Sequence, residues 1–211
     1  MAKRQELFDA ISEGDRKTTA RLVQAAVDNK ENLEEVLADS MIAAMKEVGD
    51  RFSKNEIFVP EMLIAARAMQ SGLNIVEPIL TKKGHEPVGR VCIATVRGDL
   101  HDIGKNVLAM MLKSAGWHVI DLGVDCDVER FQRAVDDEGA QAICCSALVT
   151  TTMDYMKTVV EHFSRRSNAV KVFVGGAPVT QAYADHIGAD GYAKDASAAV
   201  RLISEKFGVA A

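Results

Sequence analysis

The stretch Gly98-Asp99-Leu100-His101-Asp102-Ile103-Gly104-Lys105-Asn106 decides how the rest of the chain reads. A short apolar run, Val91 to Val96, precedes it, and an apolar-periodic segment with Val107, Leu108, Met111 and Leu112 follows. Strand, loop and helix in that order place it where open α/β sheets hold their ligands. Asp99 and His101 stand two apart between glycines. A carboxylate beside an imidazole can accept its Nδ1–H, fix the tautomer and leave Nε2 free to bind a metal. The glycines would let a bulky ligand approach the backbone closely. Blander readings compete. A phosphate-binding P-loop needs four residues between its first Gly and the Gly-Lys pair, then Ser or Thr. Here five residues separate Gly98 from Gly104, and Asn106 stands where the hydroxyl belongs. On pattern alone, Asp-x-His in a turn is more often structural than metal-binding, and no further protein ligands cluster nearby. A ligand that brings its own metal needs only one protein nitrogen.

Working outward, runs of strand length occur at 91–96, 118–122, 142–146 and 170–174, with a weaker one at 191–193. Helical stretches at 103–115, 127–138, 153–165, 179–187 and 196–207 separate them or follow the last. Strands alternating with helices predict a parallel sheet covered on both faces. The first eighty-odd residues have no such alternation. Leu7, Phe8 and Ile11 form a stripe that Gly14 ends, and Asp15 can cap a helix carrying Leu22, Val23, Ala26 and Val27. Asn32 with Glu35 resembles a capping box opening a third helix, with Leu33, Val36, Leu37, Met41, Ala44, Met45 and Val48 inside and an end near Gly49 and Asp50. Pro60 suits the first turn of a fourth, with Met62, Leu63, Ala66, Met69, Leu73 and Val76. The methionines read as core, and Phe52, Phe58 and Val59 as residues that seal the bundle. The polar stretch 81–87 marks the boundary. The expected architecture is a four-helix bundle over 1–86, then a five-stranded parallel α/β domain over 87–211.

The 211 residues carry a net charge of −5, with 48% in the hydrophobic class and 26% charged. That balance speaks against a nucleic-acid partner, and the short apolar segments against a membrane span. The N-terminus lacks the apolar core of a signal peptide, so a soluble cytoplasmic protein is the expectation. Cys92, Cys144 and Cys145 fall in strands and read as buried thiols of a reducing compartment, with Cys126 the one expected to line a pocket. Lys105 reads as a surface residue and Asp102 as a capping one. His118, His162 and His186 show no partner pattern, and His85, Arg165 and Arg166 read as solvated.

Asp99-x-His101-x-x-Gly104 resembles the D-x-H-x-x-G signature of cobalamin-binding domains, and Ser146-x-Leu148 and Gly175-Gly176 follow in the family's order. Asp121-Leu122-Gly123-Val124 and Thr150-Thr151-Thr152-Met153 look like the same family. The whole sequence is similar to the stand-alone corrinoid proteins of methylamine- and methanol-type methyltransferase systems, and to the corrinoid module of methionine synthase. The resemblance implies a flavodoxin-like (Rossmann-like) strand order 2-1-3-4-5, with the loops bearing His101 and Ser146 meeting at the switch point. It implies cobalamin, as methylcobalamin or another corrinoid, with its own base off cobalt and His101 as axial ligand. Asp99 would orient His101, with Leu100, Asp102, Ile103 and Gly104 around the cofactor. Ser146 would bond the base of the nucleotide tail in a deep channel, with Leu148 and Thr150 beside it. Gly175 and Gly176 would keep that channel open, and Tyr192 to Ala196, with Tyr192 and Asp195 as contacts, would form its last loop. Thr152 stands where methionine synthase has the serine of a His-Asp-Ser relay; whether its hydroxyl reaches Asp99 stays open. The helical domain would cap the reactive face through Gly49-Asp50-x-Phe52 and Phe58-Val59-Pro60.

By the same resemblance the protein is a non-catalytic methyl carrier whose cobalt cycles between Co(I) and methyl-Co(III). Its partners would be a substrate-specific methyltransferase, a second methyltransferase delivering to tetrahydrofolate or coenzyme M, and a reductive activase. The donor would be a methylated amine, methanol, a betaine or a methoxyaromatic. The alternatives are a mutase's cobalamin subunit, a cobalamin-dependent sensor, and a flavodoxin-like domain that has lost its cofactor.

Overall fold

The computed structural model describes residues 2–84, 86–165 and 170–209; His85 and Arg166, read above as solvated, lie outside them. The chain divides into two compact units, Met1–Glu86 with Ser114–Gly116, and Pro87–Lys113 with Trp117–Ala211.

The first unit is built from α1 (Ala2–Ser12), α2 (Arg16–Asp28), α3 (Leu33–Val36), a π-helical segment (Leu37–Ile42), α4 (Ala43–Ser53) and α5 (Val59–Lys82). Asp15 starts α2 as its sequence position suggests, its carboxylate accepting from the Lys17 and Thr18 N–H groups at 3.0 Å each. Asn32 starts α3 by accepting from the Glu34 N–H at 3.2 Å, and its side-chain amide donates to Glu35 Oε1 at 3.0 Å. From there the helix departs from the even 3.6 period. The π segment widens one turn so that Leu37, Ser40 and Met41 are all buried, and the Ser40 hydroxyl is left without a partner. The helix also continues through Gly49 to Ser53 rather than ending at Gly49 and Asp50. Met41, Met45, Met62 and Met69 are all core residues. Full burial of each contributes about 1.5–3 kcal/mol. At Gly72 the helices run so close that an added Cβ would lie 2.7 Å from Met41 Cε.

The apolar link before α5 is sealed differently from the expectation. Ile57 is buried, whereas Phe58 is 63% exposed. Phe58 occupies the N-cap of α5 in an extended conformation, its N–H donating to Glu61 Oε2 at 3.1 Å. Holding the N-cap backbone in place leaves its side chain outside the bundle. Phe52 and Val59 are half-buried.

The second unit contains β1 (Arg90–Thr95), α6 (Ile103–Ser114), β2 (His118–Asp121), α7 (Val128–Asp136), β3 (Ala142–Ser146), α8 (Thr150–Met153), α9 (Tyr155–Ser164), β4 (Lys171–Gly175), α10 (Gln181–Ile187), β5 (Gly191–Ala193) and α11 (Ala196–Lys206). The strands form one parallel sheet in the order β2-β1-β3-β4-β5. β1 is buried along all but its first residue, and β3 along all but its last, as expected of a sheet covered on both faces. Because β1 and β3 are neighbours, the loops that leave their carboxyl ends open at the same switch point. Among the described residues, no helix is long and apolar enough to cross a membrane.

Candidate functional site

The loop between β1 and α6 is organised by one buried carboxylate. Asp99 is 2% exposed. Its Oδ1 accepts from the His101 N–H at 3.0 Å and sits 2.8 Å from His101 Nδ1. Its Oδ2 accepts from the Leu148 N–H at 2.8 Å and from the Thr152 hydroxyl at 2.7 Å. Burial pushes the Asp99 carboxyl up, but the bonds from Thr152, Leu148 and His101 outweigh it and hold the group well below the usual carboxylate range. An ionised Asp99 makes Nδ1 the protonated ring nitrogen of neutral His101, so Nε2 carries the lone pair. Among the described residues Nε2 has no hydrogen-bond partner, and the His101 side chain is 57% exposed. The Thr152 hydroxyl thus does reach Asp99, across 53 residues of sequence.

Beside this loop, at the carboxyl ends of β1, β3, β4 and β5, lies a cavity of about 600 Å³. Ile93, Cys144, Phe173, Val174, Leu202 and Ile203 supply apolar wall. Leu100, His101, Asp102, Ile103 and Gly104 line it from the first loop, Ser146 and Leu148 from the β3 loop, and Gly175, Gly176 and Asp195 from the far side. Each glycine has its own reason. An added Cβ at Gly104 would meet nothing within 4 Å, so the cavity opens there. At Gly176, φ is +124° and a Cβ would fall 1.9 Å from the Ala147 carbonyl oxygen, which no side chain could accept. Asp195 caps α11 by accepting from the Ala198 N–H at 2.7 Å. Leu100 and Ile103 are 72% exposed and Leu148 45%, an apolar rim that an ordinary surface loop would not present.

Several residues fall elsewhere than expected. Thr150 is exposed at the start of α8 and does not line the cavity. Tyr192 packs against the buried cluster that includes Val172 and Val174; its neighbour Ala193 lines the cavity instead, because successive strand residues face opposite sides. Cys126 is fully buried and does not line this cavity, while Cys144 and Cys145 do. Burial pushes the Cys126 thiol up to about 11 and Cys144 up to about 12, so both stay protonated near neutral pH. His162 has a partner after all, its Nε2 lying 2.9 Å from Gln132 Oε1. Lys105 is the largest departure: rather than lying on the surface it is 3% exposed, in the cavity wall.

Two supports were not visible in the pattern. Asp125 adopts φ +50°, its carboxylate accepts from the Gly98 N–H at 2.7 Å, and its own N–H donates to the Asp99 carbonyl at 3.0 Å. Thr95, fully buried at the end of β1, donates its hydroxyl to the His101 carbonyl at 2.8 Å. The sequence signal for either was at most its closeness to a motif.

Among the described residues no group of three or more His, Cys, Asp or Glu could hold a metal ion. One free imidazole nitrogen, an apolar rim and an adjoining cavity instead suit a large, flat, apolar-edged ligand that carries its own metal. The description "B12 binding domain" belongs to both family models that match, one over residues 89–201 and the other over residues 3–77. This chain belongs to the corrinoid proteins of the B12-binding family. This corrinoid protein is 40% identical to a corrinoid protein of Desulfitobacterium hafniense (strain Y51), over 99% of both chains. It is also 40% identical to dimethylamine corrinoid protein 2 of Methanosarcina acetivorans, over 97% of this chain and 98% of that one. Among solved structures it resembles the methanol:cobalamin methyltransferase complex MtaBC of Methanosarcina barkeri, at 26% identity and a TM-score of 0.87, covering 98% of this chain and 80% of that one. The residues fit the group: His101 Nε2 is the nitrogen available to cobalt, and the cavity is the space available to a nucleotide tail.

Proposed function

We propose that this corrinoid protein carries a methyl group from a substrate-specific methyltransferase to a second methyltransferase, which delivers it to tetrahydrofolate or coenzyme M. The observation that carries the reading is His101, held at Nδ1 by an ionised Asp99 with Nε2 unpaired beside an apolar-walled cavity. Relatives named for dimethylamine and trimethylamine span nearly the full chain, which favours a methylated amine as donor. When bound, the corrinoid supplies a cobalt that takes up and surrenders a methyl group by alternating between Co(I) and Co(III).

The chain's own residues do the rest. Asp99 fixes the ring orientation and tautomer of His101, which leaves Nε2 for the metal. The Asp99 carboxylate is itself braced by the Thr152 hydroxyl and the Leu148 N–H, so the ring is held from both sides of the site. Leu100, Ile103 and Leu148 would shield the bound corrinoid from water. Ser146, Leu148, Gly175, Gly176 and Asp195 would accommodate the tail. A reductive activase is the third expected partner.

Reconstitution with a base-lacking corrinoid tests the ligand. Nitrogen superhyperfine splitting in the Co(II) electron paramagnetic resonance spectrum of the wild type should vanish in His101→Ala. Splitting absent from the wild type, or unchanged in the variant, would sink the assignment. The carrier role is checked by methyl transfer from dimethylamine or trimethylamine in the presence of the cognate methyltransferases.

A further inference from the structure

Lys105 is a buried charge that the reading above leaves unused. Its ammonium donates to Asp121 Oδ1 at 2.7 Å, Asp121 Oδ2 at 2.8 Å and Asn106 Oδ1 at 2.7 Å. The location is a poor one for a cation. Lys105 lies in the first turn of α6, where the helix dipole already presents partial positive charge. Its partner Asp121 is exposed, so water screens the attraction while Lys105 still bears the cost of burial. Stability alone therefore gives no reason for a lysine here.

Geometry does give one. Asp121, the last residue of β2, also accepts from the Gly123 N–H at 2.9 Å. The Gly123 carbonyl accepts from the Thr95 N–H at 3.0 Å, and the Thr95 hydroxyl donates to the His101 carbonyl at 2.8 Å. On the other side, the Asn106 amide donates to Asp102 Oδ2 at 2.9 Å. A polar circuit thus runs from His101 through Thr95, Gly123, Asp121, Lys105 and Asn106 back to Asp102. It encloses residues 100–104, which are all exposed, between two buried charged anchors, Asp99 and Lys105.

We propose that the Lys105–Asp121 ion pair is a positioning device for the axial histidine: it ties the start of α6 to the end of β2, so that the intervening loop presents His101 Nε2 at one fixed reach. Lys105 and Asp121 are positioning residues, since they act on cobalt only through His101, and the inference rests on the reading of His101 as the ligand.

The test is the ratio of histidine-ligated to unligated Co(II) in full-length protein loaded with a base-lacking corrinoid, read from the nitrogen splitting. Lys105→Met should lower that ratio about tenfold, the lower end of what outer-shell partners contribute to a metal site. Asp121→Asn should do the same, the double variant should do little more because either single change already opens the circuit, and Lys105→Arg should recover part of the ratio. A wild-type ratio in Lys105→Met overturns the proposal. So does a variant that keeps the ratio yet binds cobalamin, but not the base-lacking corrinoid, more weakly, since Lys105 would then be a contact of the tail. If Lys105→Met does not fold, Asp121→Asn decides, because its side chain is 38% exposed and tolerates the change; a wild-type ratio there overturns the proposal equally. Absence of splitting in the wild type overturns the ligand reading and this inference together, before any variant is compared.

Discussion

In the helical unit the charged pairs lie in water and the apolar groups inside. Arg4 reaches Glu35 at 2.7 Å and Asp39 at 3.0 Å through side chains that are each more than a third exposed, while Met41, Met62 and Met69 are buried. At the strand ends of the α/β unit the arrangement inverts. Asp99 and Lys105 are buried charges, whereas Leu100 and Ile103 are 72% exposed. The inversion costs free energy twice, once to desolvate charge and once to wet apolar surface. It persists because the buried charges are fully bonded; under the proposed function the exposed apolar groups also have a ligand to meet. Departures from consistency between pattern and burial therefore mark function in this chain. The helical unit has departures of its own, at Phe58, at Ile64 and at the unpaired Ser40, but none is joined to a bonded buried charge.

The comparison can be broken or sharpened by substitution. The largest effect should come from Asp99→Ala, which strips the His101 and Leu148 N–H groups of their acceptor and leaves the Thr152 hydroxyl only its bond to the Val149 carbonyl. A loss of about 3 kcal/mol is expected in urea unfolding of the apoprotein, the scale of removing one partner from a buried charged network. A loss near zero would mean that the buried carboxylate is not structurally integrated. The pH dependence has a definite sign. The native carboxyl ionises below its unfolded value of about 4, so its contribution is fully present above that value. It drains away as pH falls through the lowered native value. The stability gap between wild type and Asp99→Asn should accordingly shrink on acidification, as equilibrium unfolding at several pH values would read out.

Gly176→Ala comes next, at about 2–3 kcal/mol, because both the positive φ and the Ala147 carbonyl oppose a Cβ. Gly175→Ala is its control: the Cβ there would sit 3.3 Å from the Ala193 carbonyl at a φ any residue adopts, and should cost far less. Equal melting temperatures for the two variants would contradict the geometry. Thr152→Val should cost about 1 kcal/mol through the lost bond to Asp99, whereas Thr152→Ser should retain most of it. The smallest effect is expected in the helical unit. Ser40→Ala removes a buried hydroxyl that has no partner, so thermal unfolding should be unchanged or shifted slightly upward. A clear loss of stability would reveal a bond to Ser40 that the fold conceals.

Much of the architecture could be read in advance, for reasons that are local. Strand-length apolar runs and 3.6-period stripes located the five strands and the helical rods, with strand ends within a residue or so of those observed. The departures had causes that local pattern does not encode. The π turn at Leu37–Ile42 answers to packing around Ser40 and Met41, and Phe58 faces outward because its backbone caps α5. At the site, the Asp99–His101 pair was legible because its two members lie two residues apart on one loop.

What the sequence determined by itself was whatever depends on periodicity and short covalent spacing: the order of elements, the change of character near residue 86, and a carboxylate within reach of an imidazole. The tertiary structure alone decided that Lys105 meets Asp121 sixteen residues away, that Thr152 reaches Asp99, that Tyr192 turns from the cavity, and that Cys126 is sealed in the core. These partners are joined by the order of strands in the sheet. Strand order follows from which buried faces pack together, a property of the whole chain that no window of a few residues contains.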